Sequence, residues 1–424
     1  MQDKRLKKED FLSRPVIMEV QKRAEKFRLS GTRVSDIIDE TNNQYVDLVQ
    51  EGGGVLGIAL VGYAWAMEEA GIRFFSLAGT SAGAINTILL ASKGDISQPK
   101  ALDILEDLCD QNLFQFVDGK KQIRSILKSA LDNKIVWSIV KSVFDIFRLT
   151  KSLHEKHGLN PGKTFQEWIE NILEKNGIRT TAELFVLRNR LPEGLRHRTE
   201  NDINDLSPKL VIVATEITTQ TKVQFPDMAD LYYKNPEQVN PSEYVRASMS
   251  IPVFFEPFEI SGIPDGADAV NLWRSKVKFD GNPPASAVFV DGGMISNFPI
   301  NVFHNPFRVP RLPTFGVRLS AFREKLNNTD KLTGYFSAML NTMRHIYDFD
   351  FLLQNPDYSQ LICRLDTDKD FNWLDFNISD ENKLLLFERG ASGAMDFLEN
   401  FKWEGYKDLR LQLLTKTEKE AGLQ

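Results

Sequence analysis

The residue best placed to do chemistry in this sequence is a serine, Ser81, inside the pattern G-x-S-x-G. An apolar stretch over residues 72–78 precedes it and a helical pattern over residues 84–92 follows it, so the motif falls on a predicted strand-to-helix turn. Such a turn holds a serine on a strained backbone that only small neighbours permit, and the hydroxyl projects from the sheet edge as a nucleophile. Its neighbours in the turn are Gly79, Thr80, Ala82 and Gly83. A glycine-rich turn with a serine helix cap is the alternative interpretation.

Three consecutive glycines, Gly52, Gly53 and Gly54, form a second loop between a predicted strand and a predicted helix. Because they lack Cβ atoms, their backbone amides can surround a negative oxygen, either the oxyanion of an acyl transfer or a phosphate. Gly52, Gly54 and Gly57 also satisfy G-x-G-x-x-G, so a dinucleotide-binding oxidoreductase is an alternative. That alternative requires an acidic residue at the end of the next strand, where this sequence leads into Ser81 instead.

A hydrolytic serine needs a base, and the best candidate is an aspartate. Asp291 follows the apolar stretch 287–290 and precedes Gly292 and Gly293. Ends of strands are where α/β sheets place functional side chains, so this carboxylate could accept the Ser81 proton directly. A structural Asp-Gly turn is the alternative. Five histidines occur outside any such strand-end context, namely His154, His157, His197, His304 and His345.

The elements that would position these groups alternate as strand, helix, strand, helix over residues 45–92. This order predicts an α/β fold with right-handed parallel crossovers. Three segments are expected: an N-terminal helical extension at 1–44, a catalytic domain at 45–320 with a helical insert at about 99–173, and a C-terminal α/β extension at 321–424 packing on the same domain.

The composition excludes several classes of protein. The 424 residues are 42% hydrophobic and 26% charged, which is typical of a globular chain. A net charge of −6 argues against a dedicated nucleic-acid binder, whose affinity comes from Lys and Arg. Two distant cysteines, Cys109 and Cys363, provide no disulfide framework. With neither a signal-peptide pattern nor an apolar run long enough to cross a bilayer, we expect a cytoplasmic location.

Taken together, the three blocks resemble those of the patatin-like phospholipases, serine acyl hydrolases with a Ser/Asp dyad. The triple-glycine loop is similar to the family's oxyanion loop, the turn at Ser81 to its nucleophile elbow, and Asp291 with Gly292 and Gly293 to its dyad motif. Residues 247–255 and 297–299 are also similar to family segments, and the resemblance spans roughly residues 45–320. It implies a three-layer α/β/α fold with a mostly parallel central sheet, distantly similar to α/β-hydrolases.

This resemblance implies hydrolysis of fatty-acyl esters of phospholipids or lysophospholipids. Ser81 would attack the ester and Asp291 would take its proton, while backbone amides of the glycine loop hold the oxyanion, without metal or cofactor. A catalytically silent lipid-binding or regulatory protein is the alternative. The sequence departs from the pattern at Leu56, where bacterial members usually carry a basic residue, and this bears on rate and headgroup preference.

The implied partner is a membrane lipid or lipid ester, with no nucleic acid. An amphipathic stretch at residues 135–149 predicts peripheral contact with a membrane or a lid over the cleft, and packing on the core is its alternative. The sequence does not specify an oligomeric state, and it does not specify whether a protein or a small molecule activates the chain.

Overall fold

The computed structural model describes residues 5–119, 156–199, 203, 205–321, 326, 329 and 332–420. Its centre is a mixed ten-stranded sheet with mostly parallel central strands and helices on both sides. The α/β fold class predicted from the sequence is therefore confirmed. The amphipathic stretch at 135–149 lies outside the described residues, so its membrane or lid role stays a prediction.

The central strands of the sheet are its longest strands. Those in the middle of the sheet are apolar and buried on both faces, as parallel strands covered by helices are. In chain order the described strands are β1 (Ile37–Ile38), β2 (Gln44–Gln50), β3 (Ile72–Thr80), β4 (Gly158–Asn160), β5 (Arg196–His197), β6 (Leu210–Glu216), β7 (Thr221–Phe225), β8 (Val253–Phe255), β9 (Phe258–Ser261), β10 (Ser286–Val290), β11 (Thr314–Arg318) and β12 (Ile362–Arg364).

The parallel centre of the sheet has the order β12, β11, β2, β3, β6. Antiparallel β7 pairs with β6, and β10 joins β6 to β9, also antiparallel. Strands β1 and β5 extend the sheet beside β2, while β4 and β8 form a separate pair. Because the parallel strands end at the same edge, the loops that follow β2 and β3 lie side by side.

The helices cover this sheet and carry most of the remaining core. The described helices are α1 (Lys8–Leu12), α2 (Pro15–Leu29), α3 (Ile58–Glu69), α4 (Ala82–Ser92), α5 (Ala101–Asp110), α6 (Lys163–Lys175), α7 (Thr181–Arg188), α8 (Ser242–Ser248), α9 (Ala267–Val277), α10 (Leu332–Gln354), α11 (Asp380–Asn400) and α12 (Trp403–Glu420). Helix α3 is apolar on all sides and almost entirely buried, as expected for a helix enclosed by other elements.

Helix α11 packs on α3 with unusually close backbones. A Cβ atom on Gly390 would lie 1.8 Å from the Ala59 carbonyl oxygen, and one on Gly62 would lie 2.1 Å from that of Phe387. Only glycine permits this approach, which joins the C-terminal part of the chain to the helix that follows the glycine loop. The domain boundaries at 44/45 and 320/321 stay predictions.

Helix α10 contacts the segment that follows β10 through a buried carboxylate. Asp348 accepts hydrogen bonds from the Ser296 hydroxyl at 2.7 Å and from the Phe298 amide at 2.8 Å. Lys222 also donates to the Ser296 hydroxyl, at 3.0 Å. These bonds fix the loop that begins at Asp291. Across the part of the chain that the structure describes, none of the helices combines the length and apolarity that a membrane span requires.

Candidate active site

Two strands approach the centre of the site along the same edge of β6 from opposite directions. Parallel β3 pairs with β6 as far as Val213, and antiparallel β10 pairs with it as far as Thr215. The residues that follow these strands, Ser81 and Asp291, therefore meet over the gap between the two strand ends. The Ser81 hydroxyl donates a hydrogen bond of 2.6 Å to Asp291 Oδ2, although 210 positions separate the two residues in sequence.

Ser81 has a strained backbone, with φ of 53° and ψ of −119°. A non-glycine residue with positive φ persists only where its surroundings enforce it. The turn packs so closely that the positions on either side of the serine admit only glycine: a Cβ on Gly79 would lie 2.3 Å from the Gly83 carbonyl, and one on Gly83 would lie 2.3 Å from the Gln50 oxygen. The Ser81 amide donates to the Ser248 hydroxyl at 2.9 Å, which holds the turn from the other side.

The other predicted residues of the two motifs have structural contacts of their own. Thr80 donates through its hydroxyl to the Ser296 carbonyl at 3.0 Å, so it links the two loops. A Cβ on Gly292 would lie 2.1 Å from the Val213 carbonyl oxygen, so this position needs glycine. Ala82 begins α4, whose partial positive N-terminal end adjoins the serine.

The Asp291 carboxylate is buried and held at both oxygens. Its Oδ1 accepts the Gly293 amide at 2.8 Å while Oδ2 faces the serine, and the Asp291 amide donates to the Ser250 carbonyl at 2.8 Å. Burial raises the pKa of Asp291, and the positive charge of Arg344 and the Ser81 hydrogen bond partly offset that rise. A raised pKa makes this aspartate a stronger base than an exposed one.

The glycine loop offers two amides rather than three. The Gly52 amide donates to the Asn297 carbonyl at 3.0 Å and is therefore occupied. Among the described residues, the amides of Gly53 and Gly54 have no hydrogen-bond acceptor. Gly54 has φ of +54°, and a Cβ there would lie 2.1 Å from the Trp373 carbonyl oxygen. Both the backbone conformation and the contact with Trp373 thus require glycine at this position.

Two spaces of different character adjoin the loop. Ala82 and Met249 line an apolar cavity of about 60 Å³. The Met249 sulfur lies 3.3 Å from the Ser81 hydroxyl. A larger cleft of about 960 Å³, lined by both polar and apolar side chains, adjoins Gly52 and Gly53. The apolar cavity is further lined by Ile58, Leu89, Phe116, Phe165 and Trp168.

Several contacts around the dyad were not anticipated from the sequence. Asn297 Oδ1 accepts a hydrogen bond of 3.0 Å from the Arg344 guanidinium. Buried Glu51 accepts one of 2.8 Å from the Ser320 backbone amide. Glu51 has a recognisable signal, since it is an acid between a buried strand and the glycine loop. Arg344 has none, because it lies on a helix more than 50 positions beyond Asp291.

No histidine is hydrogen-bonded to Ser81 within the described residues, so the aspartate is the basic group in contact with the serine there. The described residues also contain no group of three His, Cys, Asp or Glu side chains arranged to hold a metal ion.

This fold and this pair of side chains define a class. The chain belongs to the patatin-like phospholipase family, whose model matches residues 48–304, more than half of the sequence. The family resemblance expected from the sequence is therefore confirmed. Members of this family are in general hydrolases of lipid substrates.

Two particular proteins are similar to it. The uncharacterized protein YqhO of Bacillus subtilis (strain 168) is 30% identical over 362 residues, which cover 85% of this chain and all of YqhO. The crystal structure of VipD from Legionella pneumophila aligns at 16% identity and a TM-score of 0.36, covering 87% of this chain and 70% of VipD.

Proposed function

We propose that this protein hydrolyses fatty-acyl esters of phospholipids or lysophospholipids through a dyad of Ser81 and Asp291. The observation that carries the proposal is the hydrogen bond of 2.6 Å between the serine hydroxyl and a buried carboxylate. Membership of the patatin-like phospholipase family supports the substrate class. We further propose that the protein acts in the cytoplasm with peripheral contact to membranes, where its substrates are.

In the first step, Ser81 Oγ attacks the ester carbonyl carbon as its proton passes to Asp291. The amides of Gly53 and Gly54 stabilise the negative oxygen of the tetrahedral intermediate. Its collapse breaks the ester bond, and the alcohol leaves with the proton returned by Asp291. In the second step the same carboxylate takes a proton from water, which attacks the acyl-serine. The proton then passes to Ser81 Oγ as the bond to the acyl group breaks and the fatty acid leaves.

The apolar cavity beside the serine suits the acyl chain. Met249 lines this cavity and its sulfur lies 3.3 Å from the Ser81 hydroxyl, so a chain bound there would place its carbonyl carbon near the nucleophile. Burying methylene groups in such a lining contributes about 0.8 kcal/mol each. The family membership favours acyl transfer over dinucleotide binding at the glycine loop.

Covalent labelling of the serine tests the proposal. A fluorophosphonate carrying an alkyl chain is expected to modify wild-type protein at Ser81, identified by peptide mass spectrometry. The Ser81→Ala variant should remain unlabelled, and Ser275→Ala, which removes a serine hydroxyl on α9, should keep its label at Ser81. Lipid hydrolysis is measured in parallel as fatty-acid release. Wild type that binds lipid but neither reacts with the probe nor releases fatty acid would establish the silent lipid-binding alternative.

The pH dependence of kcat/KM follows from the state of Asp291, which must be ionised to act as a base. Burial raises its pKa above the ordinary 3.8, so activity should disappear as the pH falls through this raised value. Removing the Arg344 charge removes an influence that lowers that pKa, so Arg344→Gln should move the acid limb to higher pH. Both profiles are measured with a soluble short-chain ester, with circular dichroism at each pH as the control for folding. An acid limb unmoved by Arg344→Gln would contradict the assignment.

A further inference from the structure

Arg344 lines the larger cleft beside the glycine loop. Its side chain lines the cleft together with Gly52, Gly53 and Leu56 of the glycine loop. The loop itself brings no cation there, since its only long side chain in the cleft is Leu56. Arg344 is half-buried and is supplied by α10, from the C-terminal part of the chain.

The contacts of Arg344 orient its guanidinium and leave donors unused. Nη2 donates to Asn297 Oδ1 at 3.0 Å, and the guanidinium carbon lies 5.5 Å from the centre of the Trp373 ring. Among the described residues, no carboxylate oxygen lies within 4.0 Å of its nitrogens. A guanidinium has five N–H donors, so most remain for a ligand.

The acidic side chains in this cleft have other partners. Asp350 accepts the Gln354 amide at 2.9 Å, and Asp368 accepts the Ala321 backbone amide at 2.7 Å. Arg344 is therefore the positive group nearest the glycine loop in the described part of the cleft, and it is close enough to Asp291 to lower the pKa of that carboxyl.

The glycine loop separates the two spaces that an ester would occupy. Gly54 and Ala82 face the apolar cavity, whereas Gly52 and Gly53 face the cleft with Arg344. An ester whose carbonyl is held at the loop, with its acyl chain in the cavity, must direct its alcohol part into the cleft. In a phospholipid or lysophospholipid that alcohol part carries a phosphate, which guanidinium groups bind by paired hydrogen bonds.

We propose that Arg344 binds the phosphate of the substrate's headgroup and so selects phosphate-bearing esters over neutral glycerides. This inference rests on the proposed function, because it concerns the leaving alcohol of the same reaction. It assigns to α10 the cation that the glycine loop lacks.

The role of Arg344 is tested by measuring the selectivity between a phospholipid and a neutral glyceride. Hydrolysis of a lysophosphatidylcholine and of a monoacylglycerol with the same acyl chain is measured in the same mixed micelles, well above the acid limb so that Asp291 is ionised throughout. In Arg344→Gln the ratio of kcat/KM for the phospholipid to that for the glyceride is expected to fall about tenfold, the effect of losing a charge-assisted hydrogen bond. Arg344→Lys should restore part of the ratio.

The matched control is Arg389→Gln. Arg389 also lies over an aromatic ring, at 5.5 Å from that of Phe371, but it pairs with Asp370 at 2.7 Å and does not line the cleft. Its replacement should leave the selectivity ratio unchanged. An equal fall for both substrates in Arg344→Gln would show that Arg344 acts only through Asn297 and Asp291, and would overturn the inference.

Binding separates this inference from the proposed function. In the Ser81→Ala background, lysophosphatidylcholine should bind about tenfold more tightly than when Arg344→Gln is added. Wild type that hydrolyses neither lipid while this difference holds would refute the proposed function and support the phosphate site. Equal binding by both variants would overturn the site. Inorganic phosphate binding that depends on Arg344, with no change in the selectivity ratio, would indicate a site for free anions and would also overturn it.

Discussion

The Asp291→Asn variant is expected to lose on the order of 10⁴-fold in kcat/KM, the scale on which replacing a catalytic carboxylate by an amide acts in serine hydrolases. The amide can keep the 2.8 Å contact with Gly293 through its oxygen. Its nitrogen then faces Ser81 and donates to the hydroxyl instead of accepting its proton. Fatty-acid release and the rate of fluorophosphonate labelling should fall together, because both need the activated serine.

The folded state should tolerate this change. Burial raises the pKa of Asp291, which means that the ionised carboxylate is disfavoured in the folded protein. Replacing it by a neutral amide removes that cost, so the melting temperature at neutral pH should be equal to or above that of the wild type. Asp47→Asn is the matched control, since burial raises the pKa of Asp47 to about 6 and its carboxylate contacts the Ser76 amide, away from the dyad. Full turnover in Asp291→Asn would refute the dyad.

The secondary structure near the site followed from local patterns, whereas its one deviation has a cause that is distant in sequence. The strands predicted at 72–78 and 287–290 are present, because apolar runs bounded by glycine or aspartate are sufficient to mark buried strands. The helix predicted directly after the glycine loop begins only at Ile58, following a 3-10 turn over Gly54–Gly57. The Val55 amide bonds to the Trp373 carbonyl at 3.0 Å, a partner more than 300 positions away that no local pattern reveals.

The limits of the sequence are clearest on α10. The sequence of this helix does not specify which of its faces contacts the segment after β10. Asp348 and Arg344 reach the segment after β10 only because α10 packs against it, and each would be read from the sequence as a solvent-facing charge. Ser81 and Asp291 were predictable since each follows a strand, where sheet topology places functional side chains. No comparable rule predicts Arg344 and Asp348, which tertiary packing brings to the site.

Replacing Gly54 by alanine is expected to lower kcat/KM by about 10²- to 10³-fold, the effect of misplacing one oxyanion donor. The positive φ of 54° disfavours any residue with a Cβ, and this Cβ would lie 2.1 Å from the Trp373 carbonyl oxygen. Backbone atoms cannot yield as a flexible side chain does, so the loop must rotate and the Gly54 amide must leave its position. The loss is measured as the rate of fluorophosphonate labelling and as kcat/KM for hydrolysis of a soluble ester.

Gly53→Ala provides the contrast within the same loop. Gly53 has φ of −177°, outside the positive range that favours glycine, and the one atom its added Cβ would approach too closely is Leu319 Cδ1, at 2.7 Å. Because Leu319 can change rotamer, the amide should stay in place and activity should fall by less than about tenfold. Thermal melts of both variants show whether the loop change remains local. If Gly54→Ala kept wild-type turnover, or if the two variants lost activity equally, the Gly54 amide would not be an oxyanion donor, and stabilisation of the intermediate would have to come from elsewhere around Ser81.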